Sequence, residues 1–243
     1  MAPSAKIVLV EAASNFFSAL FQAVDVGNTI PGAAEVSMSW GGSEFFSEIN
    51  NDFHFTHPGV VYFAASGDTG GATIYPSTSP NVVAAGGTTI HRDTSGNFIG
   101  ETGWSGSGGG PSLYEPRPSY QGVISSIVGN ARGVPDYSFD ADPNSGVSVY
   151  DSTACQGMSG WLVFGGTSVA SPSLVGIVNL AGHFSTSSNA ELTVIYSSVS
   201  NGGTTINSTY FWDITSGTAG SFSAMTGWDF VTGVGSNQGL NGK

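Results

Sequence analysis

Apolar residues occur along this chain in short runs separated by glycine- and serine-rich stretches, and the period of the runs changes from one to the next. Lys6–Val10 is a short apolar run that predicts a first strand. From Asn15 to Val26 the apolar positions Phe17, Leu20, Phe21 and Val24 recur at the spacing of one helix face. Glu35–Ser39 reads as a strand, Ser43–Thr56 as a helix, and Gly59–Ala65 as a third, buried strand. Strand–helix–strand alternation predicts an α/β fold with a mainly parallel sheet flanked by helices and right-handed crossovers. Thr73–Ser152 is rich in glycine and reads as strands and loops. Val169–Phe184 is apolar and helical, and Ser185–Lys243 is polar and loop-like. No internal repeat or linker divides residues 1–243, so a single domain is expected.

Composition narrows the classes of function. The chain has 243 residues, 40% hydrophobic and 9% charged, enough for a sizeable core and unlike a disordered segment. Its net charge is −12, and its cations are Lys6, Arg92, Arg117, Arg132 and Lys243. Five scattered cations build no basic face, which argues against nucleic acid and anionic membranes as partners. A chain poor in bases gains little positive charge as its carboxylates protonate, which suits an acidic milieu. Cys155 is the only cysteine, so neither an intrachain disulfide nor a multi-cysteine metal site can form. Asn207-Ser208-Thr209 is a glycosylation sequon of the kind that arises by chance. No signal peptide or membrane-spanning run is read.

Two segments carry candidate chemistry. Gly165-Gly166-Thr167-Ser168-Val169-Ala170-Ser171-Pro172 places a serine at the mouth of a helix, with Pro172 expected in the first turn. A hydroxyl there sits at the positive end of a helix dipole, among backbone N–H groups able to receive an oxyanion. The same residues also fit a glycine turn with a capping serine. Val60-Val61-Tyr62-Phe63-Ala64-Ala65 runs into Ser66-Gly67-Asp68-Thr69-Gly70-Gly71, which puts Asp68 at the carboxyl end of a strand, where open α/β sheets hold their sites. By itself Asp68 also fits a turn aspartate bonding its own backbone.

Together these segments resemble the sedolisin family, the serine-carboxyl peptidases with a subtilisin-like fold. The marks are Ser66-Gly67-Asp68 after a strand and Gly166-Thr167-Ser168 through Pro172 at the nucleophile. Further stretches agree in order: Ser39-Trp40-Gly41-Gly42, Tyr75-Pro76, Ser79 through Thr89, Gly108-Gly109-Gly110, Arg117 through Gln121, Arg132 through Asp136, Ala141-Asp142-Pro143, Asp213-Ile214-Thr215 and Gly227-Trp228-Asp229. Subtilisins share the G-T-S turn but have asparagine where this chain has Asp68, and they need a catalytic histidine. His54, His57, His91 and His183 lie outside any glycine-rich catalytic loop and read as structural or surface residues.

The resemblance implies an endopeptidase acting at acid pH, with peptide or protein as its partner. Ser168 would attack the scissile carbonyl, and Asp68 would stand in the oxyanion hole beside the Ser168 N–H. A carboxyl donates a hydrogen bond only when protonated, as the neutral acid in the oxyanion hole of ketosteroid isomerase does, and that gives acid-range activity a physical reason. The family's general base is a glutamate oriented by an aspartate one helical turn later. Here Met1-Ala2-Pro3-Ser4-Ala5-Lys6 already matches the turn that follows that helix, so the resemblance implies a domain without its N-terminal part, the Glu/Asp helix and propeptide included. Glu11 and Trp40 are candidates to extend the catalytic hydrogen-bond network, Glu11 being otherwise a structural acid at a strand end. Glu44 and Glu48 have the i, i+4 spacing but follow Gly41-Gly42, away from the family's catalytic helix, and are not assigned as a substitute. Ser107, Gly108 and Gly109 resemble the segment lining the substrate cleft, and a flexible loop is the other reading. One calcium ion is implied, held by Asp213 and Asp229 with carbonyls of Ile214, Met225 and Gly227; two turn aspartates are the alternative. Met225 stands where the family usually has glycine. The family implies an extracellular setting. The competing reading is an inactive remnant that serves as a calcium-stabilised binding module.

Overall fold

The computed structural model describes residues 2–155 and 157–242, and its first regular element is helix α1 (Phe17–Asn28). α1 buries Phe21 and Val24, two members of the apolar stripe. Strands β1 (Glu35–Met38) and β2 (Gly42–Ser43) follow, then a 3-10 helix at Glu48–Phe55. Strand β3 (Val61–Ala65) is buried at every position. Beyond it come β4 (Ile74–Tyr75), β5 (Val83–Arg92), β6 (Phe98–Gly103) and β7 (Gly110–Pro116). The short helix α2 (Ser125–Val128) leads to β8 (Ala131–Val134) and β9 (Tyr137–Asp140). A hairpin of β10 (Val147–Cys155) and β11 (Met158–Phe164) runs directly into helix α3 (Thr167–Ala181). Helix α4 (Ser188–Tyr196) is followed by short strands: β12 (Val199–Ser200), β13 (Thr205–Ile206), β14 (Phe211–Trp212), β15 (Thr218–Ala219), β16 (Phe222–Ser223) and β17 (Ser236–Asn237).

The central sheet has the order β1-β3-β5-β9-β17-β14, with β6 also paired to β5. The β1–β3, β3–β5, β5–β9 and β9–β17 pairings are parallel, so the mainly parallel α/β sheet flanked by helices is as expected. α3 packs across β1, β3, β5 and β9. Alternation along β3 explains its unbroken apolar run, because both faces are covered. Val61 and Phe63 point into the core shared with Leu174 and Val178 of α3. Tyr62 and Ala64 point into a second core with Phe21 and Val24 of α1, Met38 and Tyr75.

Four expectations are corrected. Lys6–Val10 is not a strand: Ile7 is 89% exposed and Leu9 80% exposed, so its apolar side chains cover no core, and the outer edge of β1, which pairs with β3, stays unpaired among the described residues. Ser43–Thr56 forms the end of β2 and a 3-10 helix, because Glu48 and Asp52 turn inward to meet Thr78 and Tyr75. The polar C-terminal stretch contains α4 and contributes β17 to the middle of the sheet, with Leu192, Ile195 and Trp228 fully buried. Pro172 lies inside α3 and not in its first turn, since the helix starts at Thr167.

Candidate active site

The loop after β3 and the start of α3 meet through three adjacent backbone and side-chain contacts. Asp68 Oδ1 accepts the Thr167 N–H at 2.7 Å and the Thr167 hydroxyl at 2.8 Å. Thr167 Oγ1 in turn accepts the Gly67 N–H at 3.1 Å. Thr167 is fully buried, while Asp68 and Ser168 are exposed. Asp68 therefore caps the N-terminus of α3, the favourable end for a carboxylate. Gly166 makes the approach possible: its φ is +99°, and a Cβ there would sit 2.7 Å from Asp68 Oδ2. Oδ1 is occupied by two donors. Oδ2, on the Gly166 side, accepts no hydrogen bond among the described residues.

Ser168 occupies the first turn of α3, where backbone N–H groups have no intrahelical acceptor. Pro172 cannot return an N–H to the Ser168 carbonyl, and the Ser39 hydroxyl donates to it at 3.2 Å instead. Further along α3 the Ser37 and Ser171 hydroxyls meet at 3.0 Å, so β1 and the residue after it fix the helix from one side. Thr167 and Ser39 were absent from the sequence-level candidates. Thr167 lay inside the recognised motif, but its partners are a hundred residues away.

The remaining candidates are placed as follows. Glu11 is exposed, and no hydrogen bond ties it to Ser168. Trp40 is half-buried in an aromatic cluster, edge-on to Phe17 and Phe21 with centroids 6.2 and 6.1 Å apart, which is a packing role. His54 pairs with Asp25 at 2.8 Å, His57 with the Pro58 carbonyl and His91 with Thr102. Glu44 accepts from Thr73, Ser112 and the Leu113 N–H, and Glu48 accepts from Phe45 and Thr78. Neither carboxylate is turned to Ser168. Among the described residues no carboxylate or imidazole is hydrogen-bonded to Ser168 Oγ.

Ser107, Gly108 and Gly109 do not line an open edge. Ser107 is fully buried; its hydroxyl donates to the Val231 carbonyl at 2.8 Å and accepts the Gly87 N–H at 2.9 Å. The Gly108 N–H donates to the Gly67 carbonyl and the Gly109 N–H to the Ala72 carbonyl. A Cβ on Gly108 would fall 2.0 Å from the Ser66 carbonyl oxygen, so only glycine permits this approach. The N–H groups an added peptide strand would need are thus engaged in holding the Asp68 loop.

At the C-terminal loop, Asp229 is 3% exposed, and its carboxylate accepts the N–H groups of Met225, Val231 and Thr232. Burial pushes Asp229 up to about 6. Asp213 Oδ2 accepts the Gly227 N–H at 2.9 Å, while its buried Oδ1 has no donor among the described residues. Burial raises Asp213 as well. Among the described residues no group of three or more His, Cys, Asp or Glu side chains is placed to hold a metal.

Comparison with known proteins adds the following. No family model matches the chain. It is 36% identical over 177 residues to sedolisin of Pseudomonas sp. (strain 101), covering 67% of this chain and 28% of that protein. It is 32% identical over 209 residues to kumamolisin of Bacillus sp. (strain MN-32), covering 73% of this chain and 36% of that protein. The chain thus spans about a third of the length of these curated relatives. The solved structure of Pseudomonas sedolisin, a serine-carboxyl proteinase complexed with two molecules of pseudo-iodotyrostatin, superposes with a TM-score of 0.76 at 29% identity, covering 93% of this chain and 68% of that one.

Proposed function

The chain belongs to the sedolisin family and has its subtilisin-like α/β fold, and from that premise we propose that it is the Ser168-bearing part of a serine endopeptidase acting on peptide or protein at acid pH. The observation that carries the reading is the joint between Asp68 and the first turn of α3, which sets an exposed hydroxyl beside a carboxyl whose Oδ2 is open. Ser168 Oγ attacks the carbonyl carbon, and the negative charge that develops on the carbonyl oxygen is met by the Ser168 N–H and by a protonated Asp68. Thr167 holds Asp68 Oδ1, which leaves Oδ2 to bear that proton. The serine proton passes to a carboxylate base of the kind the family uses. The low content of bases supports an acidic, extracellular setting for the whole protein.

Calcium at the Asp213–Asp229 loop belongs to the same reading. Asp213 Oδ1, a buried carboxylate oxygen without a donor, supports it, because such an atom fits a hard cation. Asp213 and Asp229 would hold the ion with carbonyls of Ile214, Met225 and Gly227, and its charge would offset the burial of Asp213. Asp229, satisfied by three backbone N–H groups, keeps its place with or without it.

The second reading is an inactive, calcium-stabilised binding module. It is favoured by Ser168 Oγ having no bonded base among the described residues. Hydrolysis of a fluorogenic peptide library from pH 3 to 7 separates the two. A peptidase gives acid-range cleavage that disappears in Ser168→Ala and falls by about 100- to 1000-fold in Asp68→Ala, the usual loss for one oxyanion donor. Cleavage unchanged in Ser168→Ala rejects the assignment. Folded chain that cleaves nothing means that this part alone lacks what turnover needs, and leaves it a fragment of a peptidase or an inactive remnant.

A further inference from the structure

Away from Ser168, four carboxylates converge where the 3-10 helix Glu48–Phe55 packs against β4 and β7. Glu48 is fully buried, Glu115 is 1% exposed and Asp52 7%, while Glu44 at the entry to the helix is half-buried. Their surroundings differ. Glu44 is well supplied with donors from Thr73, Ser112 and Leu113. Glu48 accepts the Phe45 N–H at 2.7 Å and the Thr78 hydroxyl at 3.2 Å. Asp52 accepts the Tyr75 hydroxyl at 3.0 Å. Glu115, on β7, has no donor at either oxygen among the described residues.

Most of the charges facing this seam are acidic. Glu115 is in the field of Asp52, Glu48 and Glu44, and the Arg132 cation and the Tyr120 phenol also face it. Arg132 is committed elsewhere: its guanidinium grips Asp136 through two bonds of 2.8 and 2.6 Å, both groups fully buried. The Tyr75 phenol, on β4, faces the same carboxylates and supplies one donor, to Asp52. A carboxylate cut off from water, without a donor and beside like charges, lowers its free energy by taking up a proton.

We propose that this cluster is a proton-gated latch: Glu115 and Glu48 hold protons in the folded chain under acid conditions, and losing them toward neutral pH loosens the seam behind the Asp68 loop. The link to the site is short, since Thr73 and β4 continue the chain from Asp68, and β4 pairs with β2. The inference does not depend on the chain being a peptidase.

The electrostatics agree. Burial, then the charges of Asp52, Glu48 and Glu44, push Glu115 from 4.5 up to about 8. Burial and Glu44 push Glu48 from 4.5 up to about 7, and burial raises Asp52. Between the ordinary and the raised values the folded state binds more protons than the unfolded state, so stability falls as pH rises. The stabilisation is complete below about 4.5 and is lost progressively up to about 8. Across that window the folding equilibrium constant shrinks by up to about tenfold per pH unit for each of the two carboxyls.

Thermal unfolding of the chain and of Glu115→Gln, followed from pH 4 to 8.5, tests the latch. Glutamine imitates the protonated carboxyl and cannot ionise. The wild-type midpoint should fall steadily from pH 4.5 to 8, and that of Glu115→Gln should fall less steeply and overtake it above pH 7. Calorimetry near pH 6 in buffers of different ionisation enthalpy should show about one proton fewer released on unfolding of Glu115→Gln, and of Glu48→Gln, than of wild type. Parallel pH profiles, equal proton release, or a Glu115→Gln chain that fails to fold at pH 4.5 would each overturn the proposal.

Discussion

Replacing Thr167 with valine removes two hydrogen bonds without opening a cavity, because the two side chains have nearly the same shape. The lost bonds are Thr167 Oγ1–H to Asp68 Oδ1 at 2.8 Å and the Gly67 N–H to Thr167 Oγ1 at 3.1 Å. Asp68 is exposed and keeps the Thr167 N–H at 2.7 Å, so water replaces part of what it loses, and the cost there is about 1 kcal/mol. The Gly67 N–H is half-buried and is left without an acceptor, for roughly another 1 kcal/mol. The total, about 2 kcal/mol, corresponds to a fall of roughly 4–8 °C in Tm for a chain of this size. Thr167→Ser is the control. It keeps both bonds and removes only the methyl that approaches Gly87, at a cost of about 1 kcal/mol. Circular dichroism melts at one acid pH should therefore rank wild type above Thr167→Ser above Thr167→Val. A valine variant as stable as wild type, or a serine variant below the valine, would show that the joint between Asp68 and α3 is not held as argued. If the chain cleaves peptides, the serine variant should also recover turnover that the valine variant loses.

Two other perturbations probe distant parts of the molecule. Asp136→Ala leaves Arg132 buried without its counter-ion and strips acceptors from the Ala84 N–H and the Tyr196 hydroxyl, so denaturant unfolding should show a loss of about 3–5 kcal/mol; a loss below about 1 kcal/mol would contradict the buried network. Calcium chloride should give a titration heat and raise Tm, by up to about 2.7 kcal/mol of stability at a hundredfold excess over Kd, with both effects weakened in Asp213→Asn; no heat and no shift in the wild type would remove calcium from the proposed function.

Local pattern was enough where one segment determined its own burial. The β3 run, with both faces covered, and the α1 stripe, with Phe21 and Val24 turned inward, could be read from period alone. So could Asp68 at a strand end and Ser168 at a helix start, because turn glycines and helix N-termini are short-range features. Ser43–Thr56 misled because its buried positions include Glu48 and Asp52, whose partners Thr78 and Tyr75 lie over twenty residues on. Ser107 looked like part of a cleft, yet its hydroxyl joins Gly87 to Val231.

The sequence by itself determined the alternation of strand and helix, the low content of bases, and the serine and aspartate proposed to carry the chemistry. Tertiary structure decided what those two residues face. It placed β17 from the far end of the chain between β9 and β14, and it left the apolar run Ile7–Leu9 exposed outside the sheet. It joined Asp68 to Thr167 and brought Glu115 to Glu48 and Asp52. The reason is the same in each case: propensity and period are set by residues within a few positions of one another, whereas a hydrogen-bond partner, or the protonation of a buried carboxyl, depends on groups that only the folded chain brings together.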